Sequence, residues 1–172
     1  MNQQLPNLTR QNTSALYSLS ALLHARGYWT AERDIEQDTA CAIYELFQSL
    51  SWSDRALHDN ECCILAAVLE VDQSHGGHIE QLIASAPEPS GLKPRIPGCL
   101  AAAALHDSVH GTRFVNLIMN HLENLALLIL MADATMKRPE IEAYDAYFLD
   151  LRRSYCAEPM LAEQTRPLAT FV

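Results

Sequence analysis

Residues 125–151 read LALLILMADATMKRPEIEAYDAYFLDL. The opening run, Leu125 to Ala132, is apolar, and a polar break follows it. Beyond the break, Ile141, Tyr144, Phe148, Leu151 and Tyr155 fall at intervals of three and four, the period of a helix with one buried face. Pro139 suits a first turn, where its missing N–H costs nothing. Glu140 and Glu142 stand near the positive end of that helix, and Arg152 and Arg153 near the negative end. The stretch therefore reads as an apolar helix, a joint and an amphipathic helix.

The same period extends through the chain. A first helix is expected over about 14–26, with Leu16, Leu19, Leu22 and Leu23 on one face, Ser14 as cap and Gly27 as terminator. A second is expected over about 30–50, with Ile35, Ile43, Leu46, Phe47 and Leu50 buried. Glu32, Asp34, Glu36 and Asp38 crowd its N-terminal half as a solvated face or a docking surface for a basic partner. Ser53 caps a third, carrying Leu57, Ile64, Leu65, Val68 and Leu69, until QSHGGH interrupts it before a short helix over 78–84. Residues 86–98, APEPSGLKPRIPG, hold four of the eight prolines and form a loop between two helical halves. CLAAAALHDSVHG is a short helix ending at Gly111, and Thr112 caps a long helix over about 113–133. That helix ends apolar on all sides, which fits a central position or an oligomer interface such as a homodimer.

No segment alternates as a strand does. The expected fold is all-α, a single domain over residues 1–172 with six or seven helices in two pseudo-repeated hairpins and a loosely held tail over 157–172.

Composition narrows the function classes. Twelve basic and 21 acidic residues leave a net charge of −9, which disfavours nucleic acid and anionic membranes and suits basic or cationic partners. The five cysteines include no Cys-x-x-Cys pair, and the polar N-terminal stretch lacks the apolar core of a signal peptide. A reduced, cytoplasmic protein with mostly buried thiols is expected, Cys62 and Cys63 among them. The run from Leu125 to Ala132 is too short to cross a bilayer.

Two segments echo each other. ECCILAAVLEVDQSHGGHIE begins at Glu61 and ENLALLILMADATMKRPEIE at Glu123. Each has an apolar helix, a closing Asp, a break and a Glu opening the next helix. The acidic joints are Asp72 with Glu80 and Asp133 with Glu140. Each joint reads first as a capped turn and second as a cation loop. It is not an EF-hand, because no Asp-x-Asp-x-Asp-Gly loop is present.

LMADATMKRPEIEAYDAYFLDL resembles the closing part of the tellurite-resistance TerB-like helical family, in which an apolar helix ends in Ala-Asp-Gly and a Glu opens the next. LAAAALHDSVHGTRFVNLIMNHLENLALLILMAD is similar to a subgroup often fused ahead of AAA-type ATPases, with Asp107 and the HGT turn at 110–112 matching. The likeness covers about 54–156. Ala134 stands where the family has glycine, and VDQ replaces Asp-Gly at the first joint. The resemblance implies a non-enzymatic adaptor or regulatory module of a bacterial stress-response or defence system. Its partner would be a protein, for instance an AAA-type ATPase on a separate chain. It also implies a cation, Ca²⁺ or Mg²⁺, at Asp72, Glu80, Asp133 and Glu140.

Histidines offer an alternative. His75 and His78 lie three apart beside two glycines, and His106 and His110 four apart on one face, spacings that can ligate metal. AAAALHDSVH resembles the His-Asp signature of HD-type phosphohydrolases, all-α metalloenzymes. His78, His106, Asp107 and Asp133 would then hold a metal that activates water for attack on phosphorus. An immunity protein against a basic toxin is a third reading compatible with the charge. No nucleophile elbow or phosphate loop is present.

Overall fold

The computed structural model describes residues 4–28, 34–51, 59–85, 97–132 and 138–157, with side chains on the last helix as far as Arg153. Expectations placed on Thr30, Glu32, Ser53, Leu57, Asp133, Ala134, Tyr155, the loop residues 86–96 and the tail 158–172 lie outside what it describes.

Seven helices follow one another: α1 (Gln4–Ala25), α2 (Ile35–Ser51), α3 (Asp59–Gln73), α4 (His78–Ser85), α5 (Gly98–His110), α6 (Phe114–Leu130) and α7 (Arg138–Ala157). No strand occurs among the described residues, and the fold is all-α. None of the helices is long and apolar enough to cross a membrane. α2 and α6 form the centre. They pack on each other, both contact α1, α5 and α7, and α6 also meets α3 while α2 meets α4. On α6, Leu125, Ala126, Leu128, Ile129 and Leu130 are buried, so its apolar run belongs to the core. Leu127 and Met131 face outward.

α1 begins ten residues earlier than its leucine pattern suggests. The added turns bury Thr9 and Thr13, and each hydroxyl donates back to a carbonyl one turn earlier, Thr9 to Leu5 at 2.8 Å and Thr13 to Thr9 at 2.9 Å. A threonine satisfied in this way packs as an apolar residue would. Pro6 falls in the first turn, where helices tolerate it. The other end is a Schellman cap: Gly27 has φ 77°, its N–H reaches the His24 carbonyl, and the Tyr28 N–H reaches that of Leu23.

Three expected faces are corrected. On α7, Phe148 and Leu151 are buried and Tyr144 half-buried as expected, but Ile141 is exposed and Glu140 takes the inward position in its turn, with Tyr147 buried beside Phe148. On α3, Cys62 is exposed and Cys63 half-buried; Glu61, Ile64, Ala67, Val68 and Val71 take the inward positions, and neighbours on a helix point about 100° apart. Cys41 is half-buried, and Cys99 is the one fully buried thiol among the described cysteines. At the start of α2 the acids do not share one wet face: Asp34 is exposed, Glu36 half-buried and Asp38 buried.

Candidate functional site

Asp72, at the end of α3, is fully buried. Its Oδ1 accepts the Tyr17 hydroxyl at 2.5 Å, and its Oδ2 accepts the Ile79 N–H of α4 at 2.8 Å. Its carbonyl also accepts the N–H groups of His75 and Gly77. One residue thus ends α3, caps α4 and holds α1. The pairing with Asp72 and burial both push the Tyr17 hydroxyl's pKa upward, burial most.

Asp107, near the end of α5, repeats the device. Its Oδ1 accepts the Phe114 N–H at 2.9 Å and its Oδ2 the Val115 N–H at 3.0 Å, capping α6 from the preceding helix. Both aspartates reach a backbone N–H seven positions ahead. Thr112 does not cap α6 as its position suggested. Its hydroxyl donates to Asp107 Oδ1 at 2.5 Å and in turn accepts from His106.

His106 is fully buried where α5 meets α1 and α6, edge-on to Tyr28 and Phe114. An Arg26 N–H donates to its Nε2 at 2.8 Å, and guanidinium can only donate, so Nε2 is the unprotonated nitrogen. Nδ1 then carries the proton and donates to Thr112 Oγ1 at 2.8 Å. Burial, followed by His110 and Arg26, lowers the His106 pKa below its ordinary value and keeps the ring neutral. A metal at Nε2 would have to displace a guanidinium. His110 is exposed, with its Nε2 2.6 Å from the Tyr28 hydroxyl.

The acidic joints are placed as follows. Asp72 is engaged by internal hydrogen bonds, Glu80 is exposed on α4, Glu140 is buried on α7, and Asp133 lies outside the described residues. Asp72, Glu80 and Glu140 do not bring their oxygens together as a ligand set. The histidine set does not gather either: His106 and Asp107 sit at the α5–α6 turn, while His78 opens α4 and belongs to another group.

That group joins the first turns of α2 and α4. Asp34, Glu36 and His78 each offer a ligand atom, all within 4.8 Å of one another. Asp34 Oδ1 accepts the Glu36 N–H at 3.1 Å, which fixes the carboxylate at the start of α2. Glu36 Oε1 lies 3.2 Å from His75 Nδ1. The His75 ring is stacked flat on Tyr17, with centroids 4.2 Å apart and planes within 5°. Gly76 has φ 104°, and a Cβ there would lie 2.8 Å from His78 Nε2, so the bare glycine makes room for the imidazole. The histidine spacing was visible in the sequence. Its partners were not, because the packing of α4 on α2 unites them.

No protein-family model matches the chain, and no curated protein or solved structure matches it either.

Proposed function

We propose that this chain is a non-enzymatic adaptor or regulatory module that docks a helical segment of a protein partner on the outer face of α5 and α6. The observation that carries this reading is a run of exposed apolar side chains. Ala101, Leu105 and Val109 recur every four residues on α5, with Val109 62% exposed, and Leu117 and Leu127 are exposed on α6, as is Met131 just past its end. Such spacing suits an amphipathic helix laid alongside. The net charge of −9 favours a basic one. A bacterial stress-response or defence setting rests on the TerB-like resemblance alone. The hydrogen bonds that engage His106 and Asp107 weigh against the phosphohydrolase reading.

The test compares the wild-type chain with a Leu105→Asp/Val109→Asp variant as bait in native lysate, with size-exclusion chromatography of both alone. The expected outcome is a defined partner retained by the wild type and released by the variant, both baits being folded monomers. Identical partners on both baits would contradict the proposal. So would self-association lost in the variant, or metal-dependent phosphatase activity abolished by His106→Gln.

A further inference from the structure

We propose that Asp34, Glu36 and His78 form a binding site for one divalent transition-metal ion, with Zn²⁺ the best match. Two carboxylates at the start of α2 and one imidazole at the start of α4 converge with their ligand atoms within 4.8 Å of one another. Around a four-coordinate zinc, ligands at 2.0–2.1 Å lie about 3.3 Å apart, so modest side-chain rotation closes the set. An imidazole nitrogen in the set favours Zn²⁺ and its neighbours over Ca²⁺ or Mg²⁺, which prefer oxygen alone. Three protein ligands leave a fourth position for water or for a partner's side chain. The positive ends of α2 and α4 oppose a cation with about half a unit charge each, less than the two carboxylates supply.

The site is also braced from behind. His75 Nδ1 stands 3.2 Å from Glu36 Oε1, the outer hydrogen bond that ligating carboxylates commonly receive. His75 is held flat against Tyr17, and Tyr17 is bonded to the buried Asp72. Glu36 is therefore oriented through a chain of contacts that ends in the core. Gly76 leaves the imidazole of His78 its space.

The experiment titrates the isolated full chain with Zn²⁺ by calorimetry and with Co²⁺ by visible absorption. The expected result is one ion per chain and a Co²⁺ spectrum of oxygen and nitrogen ligation. Affinity should fall at least tenfold in Asp34→Asn and in His78→Gln and stay unchanged in His24→Gln, an exposed histidine on α1. Zn²⁺ should raise the thermal unfolding midpoint of the wild type and leave that of His78→Gln unmoved. The proposal is overturned if the wild type binds neither ion, if both site variants bind as the wild type does, or if Co²⁺ shows thiolate charge transfer, which would place the ion on cysteine. The wild-type spectrum decides even if a variant fails to fold. No partner enters the measurement, so its outcome is separate from that of the docking proposal.

Discussion

His106 shows how a histidine can look like a ligand in sequence and be a buried strut in the fold. Its two nitrogens link Arg26 to Thr112, and Thr112 links onward to Asp107. Its pKa lies below the ordinary 6.5 because burial, His110 and Arg26 all disfavour the imidazolium. The unfolded chain therefore takes up a proton that the folded chain resists. Stability from this group is complete above pH 6.5 and is lost as pH falls from there toward the lowered folded value. The slope in that window is at most about 1.4 kcal/mol per pH unit for one group. His121 is lowered by burial in the same sense and adds to it. Urea unfolding at stepped pH measures the slope, and imidazole NMR should find His106 titrating below the ordinary value, with Arg26→Ala moving it upward. A second residue-scale expectation concerns thiols. Cys99 is buried and its pKa is pushed up to about 12, whereas Cys62 is exposed. With a colorimetric thiol reagent on the native protein, Cys62→Ser should remove one equivalent from the fast phase and Cys99→Ser none.

At the scale of the helix and its joint, two turns test what glycine contributes. Gly27 and Gly76 both hold positive φ, at 77° and 104°. A Cβ at Gly27 meets nothing within 4 Å, so Gly27→Ala should cost only the backbone strain, about 1 kcal/mol. A Cβ at Gly76 meets the far end of the His78 side chain at 2.8 Å, which can turn aside, but φ 104° lies further from the left-handed well at about 57° than φ 77° does, so Gly76→Ala should cost more than Gly27→Ala in the same denaturation assay. Much at this scale was legible from the letters. Gly27 and Gly111 end α1 and α5 where the sequence places them, and α4 starts at His78 as expected. The first turns of α1 were illegible because Thr9 and Thr13 are polar as letters yet satisfied within the helix. The start of α6 hides its cap for a different reason. Thr112 stands in the usual capping place, but the cap comes from Asp107 in the helix before. The group at Asp34, Glu36 and His78 lay beyond any local pattern, since its members meet only where α4 packs on α2.

For the whole molecule, the α-helical bundle is organised by the aspartates that end its helices. Asp72 ties α3 to α4 and to α1 through Tyr17, and Asp107 ties α5 to α6. These carboxylates stabilise joints; the docking proposed on α5 and α6 and the metal proposed at the α2–α4 corner rest on other side chains. The most direct measurement is urea unfolding of Asp72→Ala and Asp107→Ala, each with a chelator and with added Ca²⁺ or Mg²⁺. Each variant should lose about 2–3 kcal/mol, since it strips charge-assisted hydrogen bonds from a helix start, and the loss should be the same in every condition. A loss that appears only when a divalent cation is present, and vanishes with the chelator, would show these residues to be cation ligands and contradict their role as joints.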